Sequence, residues 1–278
     1  MTAVTLDELP GRRGMTGGGG SGMGAALRIE IRKLTTTRTW WVLGLVAIAV
    51  AVLVTVLTVA GASSSQHAPL EIFTGALIGG VQTAYMITAI VGITAVAGEY
   101  RHRTATSSYL AIPRRGRLIS AKLLVLAGYG LIVGVMVVGI CSAIAAPWLS
   151  AQHLLNGTLT SSGVARAVIG GTAAIAVMTA VGVAVGALLR NQIVAVGALL
   201  VYLFAIEQTI NNISATRAAY PYLPGGAVQS LAFSGHRAFG SPTGAILLSP
   251  WAAAAVIIGY AIIITAIAVR TSIRRDVT

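Results

Sequence analysis

Six long apolar stretches, separated by shorter polar segments, dominate the pattern of this chain. They cover about residues 40–60, 72–97, 118–148, 164–189, 192–210 and 250–269. Each approaches or exceeds the roughly 20 residues a helix needs to cross the hydrocarbon core of a bilayer. None alternates apolar and polar positions with a period of two, so helices are predicted rather than barrel strands. The pattern predicts an all-α integral membrane protein with six transmembrane helices. Residues 25–38 differ. Leu27, Ile31 and Leu34 recur on one helical face, while Arg28, Glu30, Arg32 and Lys33 fall largely elsewhere. That spacing predicts an amphipathic helix lying in the interface. Residues 1–24 are rich in glycine and lack an apolar h-region, which predicts a disordered tail rather than a signal peptide. The expected plan is a tail over 1–24, an interfacial helix over 25–38 and a transmembrane domain over 39–278.

Composition agrees with this plan. Of 278 residues, 56% are hydrophobic and only 9% charged, against about 25% charged in soluble domains. The net charge of +12 does not point to nucleic acid, because the basic residues cluster at the ends of apolar stretches, facing headgroups. Place the amino terminus inside the cell. Arg12, Arg13, Arg28, Arg32, Lys33 and Arg38 then precede the first span on the inside, and Arg101, Arg103, Arg114, Arg115, Arg117 and Lys122 follow the second. Arg190, Arg270, Arg274 and Arg275 join them, leaving only Arg166, Arg217 and Arg237 outside. This asymmetry predicts cytoplasmic amino and carboxyl termini. Trp40 and Trp41 at one boundary, and Trp148 and Trp251 at the other, fit interfacial belts. The lone Cys141 reads as a small packing residue, with no disulfide to form.

Catalytic signals are sparse. No span holds paired carboxylates, and His67, His102, His153 and His236 lie in loops without metal-ligand spacing. Ser234, Gly235 and His236 also fall in a loop, against an intramembrane protease. The glycine run lacks a phosphate-loop ending, so no nucleotide, cofactor or metal is expected in this chain. Small-residue pairs at Gly75/Gly79, Gly130/Gly134 and Gly182/Gly186 permit close helix approach.

Three polar constellations remain. The loop over 98–121 is strongly basic, and its middle, 104–112, has the composition of a short helix stopped by Pro113. Glu207, Gln208, Asn211 and Asn212 form a polar face late in the fifth span, followed by the turn-rich run 220–228. A carboxylate at that depth must face protein or water; the other reading ends the span before Glu207 and leaves it in the headgroup layer. Gln82, Thr83, Tyr85, Met86 and Thr88 make the second span partly polar, with Gln82, Tyr85, Met86 and Ala89 on one stripe. That stripe reads equally as ordinary helix-packing glue.

The ordered residues Glu99, Thr104, Leu110, Pro113, Arg114, Arg117 and Lys122 resemble the cytoplasmic loop of ABC-2 type transporter permeases, the transmembrane subunits of bacterial ABC exporters. The six spans and the amphipathic helix extend the resemblance over nearly the whole chain after residue 24. It implies the ABC-2, or type V exporter, permease fold. It implies that the loop, Arg115 included, holds a coupling helix docking on cytoplasmic ABC ATPase subunits, where ATP and magnesium would reside. It also implies a second permease copy, a re-entrant region over 207–247, and an outer gate carried by Glu207, Leu223 and Pro224. Gln82, Tyr85 and Met86 would then line a path at the dimer interface, together with the fifth span. The implied role is efflux of a drug, natural product or lipid-like amphiphile across the bacterial plasma membrane, a cargo class that fits antibiotic resistance. Two alternatives stay open on the residues themselves: an ATP-independent carrier or channel working through Glu207, and a non-transporting membrane scaffold.

Overall fold

The computed structural model describes residues 23–61, 69–101, 115–151, 162–232 and 245–274. The elements are helices: α1 (Met23–Thr36), α2 (Arg38–Gly61), α3 (Pro69–Arg101), α4 (Arg115–Ala151), α5 (Ser162–Leu189), α6 (Gln192–Asn212), α7 (Pro224–Ala232) and α8 (Pro250–Arg274), with a 3-10 turn at Arg217–Tyr222 between α6 and α7. Helices α2 to α6 are long and apolar enough to cross a membrane, and α8 contains a shorter apolar stretch. The chain is an all-α membrane protein. Proline opens α3, α7 and α8, where its missing N–H removes no helical bond. Between α5 and α6 only Arg190 and Asn191 intervene. Arg190 adopts a left-handed conformation with φ of 53°, which ends α5. The Asn191 side chain then accepts from the N–H groups of Ile193 and Val194 at 3.0 and 3.2 Å and starts α6.

The bundle is built around α3 and α5. Both are mostly enclosed by other helices, whereas α2 and α6 turn most of their surface outward. The two central helices cross so closely that a Cβ on Gly182 would run into the carbonyl oxygen of Ala89, and one on Gly92 into the backbone of Thr179 and Val183. Backbone on both sides leaves nothing that can step aside. Gly182→Ala is therefore expected to lower stability by about 1–3 kcal/mol, read as a fall in melting temperature in detergent. Gly128→Ala, whose Cβ would meet no atom within 4 Å, serves as the control and should be neutral or slightly stabilising. Cys141 is buried, its sulfur facing Gly80 of α3.

Helix α1 departs from its sequence pattern in one respect. It packs on the start of α4 through Ala26 and Leu27 against Leu118 and Ala121. This turns Glu30, which the periodicity assigned to the polar face, into the protein, with 5% of its surface exposed. Ile31 is half exposed. The helix thus has three sectors: one facing the protein, one apolar toward the bilayer, and one carrying Arg28 and Arg32. A two-sided amphipathic pattern cannot separate the first sector from the third.

Candidate functional site

Where α1, α3 and α4 meet, four charged side chains of the described residues form a cluster. Lys33 Nζ lies 3.0 Å from Glu30 Oε1 and 2.8 Å from Glu99 Oε1. Lys122 Nζ lies 3.1 Å from Glu30 Oε2 and 2.8 Å from Glu99 Oε1. Each lysine therefore touches both acids, and the formal charges cancel. Lys122 also donates to the carbonyl of Ala95 at 3.1 Å, so each of its three donors has an acceptor. Lys122 and Glu30 are buried, Glu99 is mostly covered, and Lys33 stays about one-third exposed. Burial opposes the charge on Lys33, but its hydrogen bond to Glu99 and the attraction of Glu30 outweigh it and hold the ammonium above its usual pKa. The stabilising contribution of Lys33 is thus present throughout the neutral range and is lost only as pH rises through that elevated value. A cavity of about 540 Å³ opens beside the cluster, with Thr37, Thr94 and Gln192 also in its wall.

Glu99 and Lys122 stand at the two ends of the basic loop. The sequence placed them in one motif; the structure joins them directly. Thr104, Leu110, Pro113 and Arg114 lie outside the described residues, as do all four histidines. Arg115 and Arg117 form part of the first turn of α4. Sequence reasoning missed the partnership with Glu30 and Lys33. Its signal was Glu30 as the lone acid of residues 25–38, three positions before a lysine.

The second polar cluster lies toward the other end of the bundle. Its buried stripe on α6 runs Ala195, Leu199, Leu203, Glu207, Asn211, always four residues apart. A regular α-helix would turn such a stripe by about 40° per step. A π-helical turn at Tyr202–Ile206 adds a residue to one turn and brings Glu207 back toward the protein. Glu207 is 2% exposed and accepts from the N–H of Gly225 at 3.1 Å. Gly226 N–H and the Tyr202 hydroxyl also serve it. Its carboxylate therefore caps the amino terminus of α7, where unpaired amides and the helix dipole favour an anion. A Cβ on Gly225 would collide with that carboxylate, and one on Gly226 with the carbonyl of Tyr220.

Asn211 Oδ1 accepts from Ala245 N–H at 3.1 Å, and the Ser230 hydroxyl accepts from Leu248 N–H at 3.2 Å. Arg166 Nη2 donates to the Ser230 carbonyl at 2.9 Å and ties α7 to α5. Tyr220 is buried beside Glu207; burial first, and that charge second, push its hydroxyl well above its usual pKa. Nearly all of α7 is buried, packed against α5, α8 and the 3-10 turn.

The four polar residues predicted as one face of α6 divide. Glu207 and Asn211 point inward, while Asn212 is exposed and its amide donates to the Gln208 carbonyl one turn back at 2.8 Å. The helix does not end before Glu207: it continues to Asn212, and protein covers the carboxylate. Leu223 and Pro224 immediately precede Gly225 and are half-buried. On α3, Tyr85, Met86 and Ala89 are buried in the core of the chain itself, so the predicted stripe is covered by α5 and its neighbours, not laid open along a path. Gln82 hydrogen-bonds Tyr85, which in turn faces Tyr220 and Glu207. The stripe thus supports the second cluster from below.

No curated protein matches the chain. The family described as ABC-2 family transporter protein does match it, over residues 26–206, which run from the first turns of α1 to the end of the π turn in α6. The match contains Glu30, Lys33, Glu99 and Lys122 and stops one residue before Glu207. With about two-thirds of its length matched and a bundle of membrane-spanning helices around the matched core, the chain belongs to the ABC-2 transporter family as a membrane permease, a transport subunit rather than an enzyme.

Proposed function

We propose that this permease is the transmembrane half of an ATP-driven exporter in a bacterial plasma membrane, with its termini in the cytoplasm. It works as a dimer with two ATPase subunits and moves a drug, natural product or lipid-like amphiphile outward. The observation that carries this reading is the joint between Glu99 and Lys122, at 2.8 Å and further tied to α1. It clamps both ends of the basic loop to one point. With Glu99 and Lys122 tied to each other and to α1, a push delivered to either end of the loop is shared among α1, α3 and α4. ATP and magnesium belong to the partner. The cluster at Glu207, Asn211, Leu223 and Pro224 serves as the outer gate, with Gln82, Tyr85 and Met86 beneath it.

The test replaces residues 104–113 with a Gly/Ser linker of equal length in the assembled transporter. Co-purification of the ATPase should be lost, and ATP-dependent efflux should fall to background while the permease still reaches the membrane. Efflux that persists without ATP or a second subunit would instead establish the carrier reading. Binding of a partner without any flux would establish the scaffold.

A further inference from the structure

An apolar groove of about 700 Å³ runs between α1, α2 and α4; none of the clustered charged residues lines it, though it shares Leu34, Trp40 and Val125 with the cavity beside the first cluster. Leu27, Ile31 and Leu34 form its roof on α1. Trp40 and Trp41 stand at its mouth, and it continues along α4 from Leu124 to Met136. That stretch of α4 is about 18 Å long at 1.5 Å per residue, a little more than half of a hydrocarbon core about 30 Å thick. The groove therefore reaches through one leaflet. Tyr129, its chief polar lining residue, donates its hydroxyl to the Trp40 carbonyl at 2.8 Å, which leaves the wall dry.

No charged residue lines the groove, but three arginines lie close in sequence to its lining residues. Arg28 and Arg32 follow Leu27 and Ile31 by one position, about 100° round the helix from the groove stripe. Arg38 opens α2. All three are exposed and make no ion pair among the described residues. Arginine presents a planar fork that matches phosphate oxygens.

We propose that this groove holds one anionic phospholipid, with an acyl chain between α2 and α4 and its phosphate among Arg28, Arg32 and Arg38. Moving a chain from bulk lipid into the groove brings no hydrophobic gain, because both surroundings are hydrocarbon. Selectivity therefore comes from the headgroup charge. The lipid braces α1 beside the Glu30–Lys122 contact, since Leu34, Trp40 and Val125 line both the groove and the cavity at that contact, and so links membrane composition to the seating of α1 on α4.

The full-length permease would be reconstituted in nanodiscs of equal parts phosphatidylglycerol and phosphatidylcholine, extracted in mild detergent, and weighed by native mass spectrometry. The retained lipid should be phosphatidylglycerol, enriched about fivefold for each arginine that engages it. R28Q/R32Q/R38Q should retain both lipids equally. Gly128→Phe fills the groove from a position where a Cβ meets nothing within 4 Å; it should lose the retained lipid at an unchanged melting temperature. Leu124→Trp, at an exposed groove position, should do the same if Gly128→Phe fails to fold. Equal retention of the two lipids by the wild type would overturn the proposal, as would phosphatidylglycerol retention unaffected by either plug. A disulfide between Ile132→Cys chains, which would put a second copy in the groove, would also overturn it.

Discussion

Lys122→Met is expected to destabilise the folded permease by about 3–5 kcal/mol, the largest single effect among the charged residues described. Lys122 and Glu30 expose only 5% and 6% of their side chains. Removing the ammonium takes a partner from both Glu30 and Glu99 and leaves the partly exposed Lys33 as the cation of the cluster among the described residues. Such an uncompensated charge loses its hydration without recovering an equal attraction, and that penalty exceeds anything the pair contributes in its intact form. The double variant Lys122→Met/Glu30→Leu restores neutrality, because Lys33 and Glu99 remain as a pair. It should recover most of the loss. Lys33→Met, at a site that water already screens, should cost no more than about 1 kcal/mol. The measurement is the melting temperature in detergent, with denaturant titration as a second readout. If the single Lys122 variant melted like the wild type, or the double variant melted lower than the single one, the cluster would not be the dry, balanced joint its geometry describes.

The same cluster shows what was legible in the sequence. The five spans α2 to α6 were visible because lipid demands an uninterrupted apolar surface, and that demand is written residue by residue. The helices exceed the predicted spans by a few residues, as when α4 begins at Arg115 rather than 118, since water-exposed turns at the ends need no apolar signature. Glu99 and Lys122 were singled out as part of an ordered loop. Glu30 was not, because an amphipathic pattern reports which face is polar and says nothing of whether that polarity meets water or a buried lysine. The polar face of α6 was read as one unit from regular α-helical spacing. That spacing holds over Glu207–Asn212, but the π turn at Tyr202–Ile206 before it sets which side of the face meets the protein, and only tertiary packing reveals it. The stripe on α3 was legible as a stripe, but its burial against α5 depends on the crossing at Gly92 and Gly182. Gly182 was among the glycines singled out for close approach, whereas Gly92, its counterpart on α3, looked like the rest.

Glu207→Leu is expected to release the amino terminus of α7. The buried N–H of Gly225 loses its acceptor, at about 1–3 kcal/mol for an unsatisfied donor, and the helix dipole loses the anion in front of it. Glu207→Gln keeps an oxygen at the same place and should retain most of the capping. Hydrogen exchange distinguishes them. The amides at Gly225 and Gly226 should exchange about tenfold or more faster in the leucine variant, in proportion to the lost local stability, and only slightly faster in the glutamine variant. Transport should follow the same order, with Gln near the wild type and Leu impaired, because a cap needs an acceptor and not a titrating proton. A proton-coupled carrier demands the opposite pattern: Gln would abolish transport as fully as Leu while α7 stayed protected. The carboxylate sits against Gly225 closely enough that a Cβ there collides with it, and its oxygens are engaged by the amides of α7 and the Tyr202 hydroxyl. An acceptor committed in this way has a structural task to perform before any other. The two variants together therefore decide between a gate element held in place by Glu207 and a gradient-driven carrier that uses it.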